Sequence, residues 1–200
     1  MARRHVLTQG DFDGACFLYG IANVYRALYE RPPRMRRWDA VVAGLPNAVD
    51  FLLGFGGGTT LHYHDDDKLL QTTIETMLAT FLEELPEAPR AVVSYHPKVS
   101  TLPEVNELIG EKSVTLFCYR GDLHYARDVH HWVCGVAGHS LPEPAVHVAC
   151  SMRYADILRY TDEEYEEVLH KTGRYSNDTI AQSDPIEVEP GTVFRIATEG

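Results

Sequence analysis

The chain has 200 residues, is 44% hydrophobic and carries a formal net charge of −11. That length supports one substantial core and leaves little room for a second full domain, while the negative charge argues against a general nucleic-acid binder or a ligand of anionic membranes. No run approaches the roughly 20 apolar residues of a membrane span, and Met1-Ala2-Arg3-Arg4-His5 leads into too short an apolar run for a secretory signal.

A protein made in the cytosol is therefore expected, with export by a route that cleaves no signal left open. Cysteines stand at positions 16, 118, 134 and 150 and form no CxxC pair and no zinc-ribbon spacing. In a reducing compartment they are expected to be free thiols.

The first informative stretch is Gln9-Gly10-Asp11-Phe12-Asp13-Gly14-Ala15-Cys16, where a polar, Gly-containing turn gives way to an apolar, helix-like run. A helix N-terminus carries partial positive charge and unpaired N–H groups, so a thiol placed there ionises more readily and becomes a better nucleophile. Cys16 is the first candidate. Phe17, Ile21, Val24 and Leu28 recur at helical spacing and predict a helix to about Tyr29, stopped by Arg31-Pro32-Pro33. Arg31, Arg34, Arg36 and Arg37 form a basic cluster, read as a solvated loop in preference to a docking patch.

A second helical stretch, about Trp38 to Leu53, is interrupted at Pro46 and ends in Gly54-Phe55-Gly56-Gly57-Gly58-Thr59-Thr60. That run lacks the Lys-Ser or Lys-Thr of a phosphate loop and the preceding strand of a dinucleotide fingerprint, so it reads as a cleft wall. His62 and His64 would share one face of a strand beside Asp65, Asp66 and Asp67, a possible metal set. Acids directly before the helical run Lys68 to Leu85 are better explained as caps, and no metal is expected.

From there strands dominate: Arg90 to His96, Ser113 to Tyr119, Val129 to Val136 and Ala145 to Cys150, with a short helix from Leu102 to Ile109 and a turn at Arg120-Gly121-Asp122. An acidic helix opened by Thr161-Asp162-Glu163-Glu164 runs toward His170 and closes at Thr172-Gly173. Ile186-Glu187-Val188 and Thr192 to Ile196, around Pro190-Gly191, read as a hairpin. Helices first and strands second make an α+β chain, helical over about 1–89 and mostly β over about 90–200, in one domain. The base that Cys16 needs is sought in His130-His131-Trp132-Val133. Alternation puts the two histidines on opposite sides of a strand, so only one can face the cysteine.

The Gln9-Gly10 turn before the Cys16 helix, together with His131-Trp132-Val133, resembles the papain-like cysteine peptidases. The nearest patterns are the calpain-type opening and the His-aromatic motif of bacterial peptidases that process double-glycine leaders. The resemblance implies a papain-like fold with Cys16 as nucleophile at a helix start, packed on a C-terminal antiparallel sheet. It implies Gln9 as an oxyanion-hole amide beside the Cys16 backbone N–H, and His131, directly followed by an aromatic residue, as general base. Two departures stand out. Gln9 precedes Cys16 by seven positions where the family has six. The slot for the Asn or Asp that orients the imidazole aligns with Cys150, beside Ser151; Asp156 is nominated instead, and Asp128 lies just before the histidines.

The expected function is a thiol hydrolase of peptide or other amide bonds, needing no metal or organic cofactor, acting on a protein or peptide substrate and consistent with a bacterial effector or toxin. Resolution of the same thioester by an amine gives acyl transfer, and attack on a glutamine side chain gives deamidation. A papain-like binding module with a non-competent Cys and His is the alternative, and a metallohydrolase using His62 and His64 ranks last. A regulatory or inhibitory protein partner is left open.

Overall fold

In the computed structural model, which describes residues 6–7, 15–44, 67–123, 126–139, 145–151, 167 and 170–199, helices come first and an antiparallel sheet follows. Helix α1, Cys16–Tyr29, has the predicted limits. Its apolar positions are so dense that Phe17, Leu18, Ile21, Val24 and Tyr25 are all buried, which makes it the central helix of the core rather than a surface one. Glu30 ends it in the left-handed region (φ 58°), and Pro32-Pro33 prevent continuation. Asn23, midway along α1, ties down the preceding chain: Leu7 N donates to Asn23 Oδ1 (2.7 Å) and Asn23 Nδ2 donates to Leu7 O (2.9 Å).

Helix α2, Met35–Gly44, and helix α3, Asp67–Leu82, pack against each other, with the rings of Trp38 and Phe81 stacked at 6.2 Å. The basic cluster is not a solvated loop. Arg34 and Arg36 meet Glu84 at 3.3 and 3.4 Å, and Arg37 pairs with Glu83 and reaches Glu84 at 3.8 Å. The Glu84 side chain is only 5% exposed, so these guanidinium groups compensate a nearly buried carboxylate just beyond α3.

The strands are β1 (Ala91–Tyr95), β2 (Ser113–Leu123), β3 (Ala126–Val136), β4 (Ala145–Ala149), β5 (Asp178–Ala181), β6 (Ile186–Val188) and β7 (Phe194–Thr198). They form one sheet in the order β1-β7-β2-β3-β4-β5, with β6 also beside β2, and every pairing is antiparallel. Helix α4, Leu102–Glu107, lies between β1 and β2 and opens with a reciprocal Thr101–Glu104 capping box.

Two sequence expectations are corrected here. Arg120-Gly121-Asp122 is not a turn, because β2 continues to Leu123 with Gly121 paired to Val129 on one side and Ile186 on the other. A side chain at Gly121 would come within 2.6 Å of Pro185 O, so the glycine serves close strand approach rather than reversal. The segments around Pro190-Gly191 are not a hairpin either; β6 and β7 both pair with β2, at residues 119–121 and 113–116. Between them the chain bulges. Gly191 turns at φ 74°, Cys118 N donates to Thr192 Oγ1 (3.2 Å), and Glu189 N donates to Cys118 O (2.9 Å), so the β2 backbone stays satisfied across the gap.

The sheet separates two buried layers. On the α1 side lie Cys16, Leu116, Cys118, Trp132, Cys134, Ala149 and Phe194; on the other side Leu102 and Val105 of α4 pack with Phe117, Tyr119, Val133, Val148 and Cys150. Among the described residues no helix is long and apolar enough to cross a membrane.

Candidate functional site

Cys16 is the first residue of α1. Ala15 before it offers no capping side chain, and the first turn contains no acid. A helix start carries partial positive charge, which suits a developing thiolate or oxyanion.

The rungs of the sheet locate what Cys16 faces. On β2 and β3 the cross-strand pairs are Leu116 with Cys134, Cys118 with Trp132, and Arg120 with His130, in unbroken register. Gly20 of α1 sits over the middle of this ladder, since a side chain there would meet Leu116 Cδ1 at 2.7 Å and Trp132 Cβ at 4.0 Å. One helical turn back, about 6 Å, comes Cys16; about the same distance along β2 comes Cys118. The Cys16 thiol does bear on Cys118, and the Phe17 ring meets Trp132 edge-on at 4.8 Å. The next rung outward on this face is Arg120 and His130. Glu187, paired with Arg120 from β6, extends it into a charged row. His130 is half-buried, while Arg120 and Glu187 are exposed.

His131 is on the other side. With Trp132 and Cys134 packed toward α1 and Val133 packed away from it, alternation turns His131 away from Cys16. The expectation that His131 is the base facing the nucleophile is thus corrected, and the histidine on the Cys16 face is His130. Trp132 fills the core beneath α1 and so fixes the opposite phase for His131.

What His131 meets instead is Cys150. Its Nε2 lies 3.4 Å from Cys150 Sγ, its ring stands edge-on to Tyr119 at 5.6 Å, and its side chain is fully buried. Burial pushes the imidazole down to about 3, so the ring is neutral at physiological pH. Nδ1 has no hydrogen-bond partner among the described residues. Cys150 is itself held by Asn177: Cys150 N donates to Asn177 Oδ1 (2.8 Å) and Asn177 Nδ2 donates to Cys150 O (2.9 Å). Ser151, next in the chain, is also buried.

Burial opposes ionisation of the Cys118 and Cys134 thiols. Burial raises Cys118 well above the usual thiol range, the neighbouring Cys16 and Glu189 add to this, and the His131 backbone N–H opposes it. Cys134 is raised by burial alone. All of the cysteines are unpaired by disulfides and buried.

Gln9 and Asp156 lie outside the described residues, as do His62, His64, Asp65, Asp66 and the side chains of Asp67 and Asp128. Among the described residues no group of three or more His, Cys, Asp or Glu could hold a metal ion. Sequence reasoning missed Asn177, the Arg120–Glu187 row and strand β5. Only the register of β4 with β5 shows that the Asn177 amide continues the ladder. No protein-family model matches the chain, and no curated protein matches it.

Proposed function

We propose that the chain is a cysteine-dependent hydrolase of peptide or other amide bonds on a papain-like fold, with Cys16 as nucleophile and His130 as general base. The observation that carries this reading is that Cys16, at the start of α1, bears on Cys118, and the next rung of the β2–β3 ladder on that face is Arg120 with His130. His130 takes the thiol proton, and the thiolate attacks the substrate carbonyl. The oxyanion is held by the Cys16 N–H at the helix start and, as the resemblance implies, by the Gln9 amide. His130 then gives its proton to the leaving amine, and water resolves the thioester. An amine in place of water gives acyl transfer with the same residues.

A second reading rests on a specific observation: Cys16 is only 4% exposed. A thiol so covered suits a scaffold that binds without turnover.

Alkylation separates the two. Iodoacetamide at pH 6, followed by mass-spectrometric mapping, is expected to label Cys16 first, with Cys118→Ala and Cys134→Ala leaving the rate unchanged. A Cys16 no faster than a free thiol at that pH supports the binding module, and full turnover by Cys16→Ala would sink the hydrolase.

A further inference from the structure

The backbone ladder between β3 and β4 is short. It joins Cys134–Val136 to His147–Ala149, and the part of β3 before Cys134 has β2 on one side only among the described residues. His130 sits in that segment, four residues before the first β4 rung. A proton-transferring group must be kept within about 0.5 Å of its working position.

Side chains take over where the ladder stops. Asn177 makes a donor–acceptor pair with the backbone of Cys150, the geometry of one further antiparallel rung, just past the end of β4. From there the Cys150 thiol crosses to His131 Nε2 at 3.4 Å, and the Tyr119 ring of β2 stands edge-on to the imidazole at 5.6 Å. His131 is the residue after His130, on the opposite face of the same strand. Fixing the one fixes the backbone of the other. The arrangement has a cost: His131 Nδ1 is fully buried with no hydrogen-bond partner among the described residues, which works against stability. An apolar ring in this apolar layer would avoid that cost.

We propose that Asn177, Cys150 and His131 form a buried positioning relay that holds the His130 segment of β3 in register with Cys16 and takes no part in proton transfer. This rests on the hydrolase reading above, with His130 as base. Among the described residues the charged and titratable groups on the face of His130 are Cys16 of α1, Cys118 and Arg120 of β2, and Glu187 of β6; of the relay, the His131 backbone N–H reaches the Cys118 thiol.

The test is the pH dependence of Cys16 alkylation by iodoacetamide, which needs no identified substrate, together with melting temperature. Wild type is expected to react at pH 6, and His130→Ala to lose that low-pH reactivity. Cys150→Ala and His131→Phe are each expected to reduce the pH 6 rate about tenfold, since a small displacement of a catalytic group is costly, and Cys150→Ser to restore it. His131→Phe keeps a ring against Tyr119 in an apolar layer and is the variant to rely on if Cys150→Ala does not fold. An unchanged pH profile in His131→Phe, whatever its melting temperature, overturns the relay alone. A wild-type profile identical to that of His130→Ala overturns the hydrolase reading and the relay with it.

Discussion

His130 and His131 are one peptide bond apart and occupy opposite worlds. His130 is half-buried on the α1 face, at the end of a row of charged side chains and one rung from the Cys118–Trp132 pair. His131 is fully buried among apolar side chains, neutral, and bound to a thiol that Asn177 holds in place. Both are Cys–His neighbourhoods, and the difference lies in water and charge. A buried imidazole held down to about 3 cannot serve as a base near neutral pH. Proximity of Cys to His is therefore a poor criterion by itself.

The largest effect on this comparison comes from the residue that sets the phase of the strand. Trp132 is fully buried and meets the Phe17 ring beneath α1, so Trp132→Ala should cost about 3–5 kcal/mol in urea unfolding. A loss below about 1 kcal/mol would mean that Trp132 does not anchor α1 to the sheet, and the assignment of faces would fail with it.

Next is acid stability. The folded state refuses a proton on His131 that the unfolded chain accepts near the ordinary value of 6.5. Stability from this residue is thus complete above about pH 6.5 and lost as pH falls toward 3, by an amount on the order of 4 kcal/mol. Chemical denaturation from pH 7 to pH 4 should show a steeper decline in wild type than in His131→Phe. Parallel curves would place His131 in water rather than in the core.

Asn177→Ala should follow, at about 2–4 kcal/mol, because it strands the buried N–H and C=O of Cys150. A neutral result would show that water replaces the amide. The smallest effect is expected far from both histidines. Glu84→Gln removes the carboxylate shared by Arg34, Arg36 and Arg37, yet the outer two guanidinium groups are well exposed, so about 1 kcal/mol is expected from thermal melts.

The helices and most strands were legible because each depends on local pattern. The Phe17, Ile21, Val24 and Leu28 spacing with Pro32-Pro33 defined α1, and apolar runs marked β1, β2, β3 and β4. Pairing was not local. Arg120-Gly121-Asp122 has the composition of a turn and is strand because β3 and β6 flank it; Pro190-Gly191 has the composition of a hairpin and is a bulge because β2 supplies both partners. The same limit governed the site. Alternation made it certain that only one of His130 and His131 could face Cys16, but the choice between them depended on which way Trp132 points, and that is settled by α1 packing over the sheet. Asn177 was invisible for the same reason: its partner, Cys150, is 27 residues away.

The most direct test of the account is the rate of Cys16 alkylation at pH 6 in wild type, His130→Ala and His131→Ala, with the labelled residue identified by mass spectrometry. The account predicts Cys16 as the first residue labelled in wild type, a loss of about 100-fold in His130→Ala, and a smaller loss in His131→Ala. Undiminished labelling in His130→Ala, or labelling that falls furthest in His131→Ala, would contradict it.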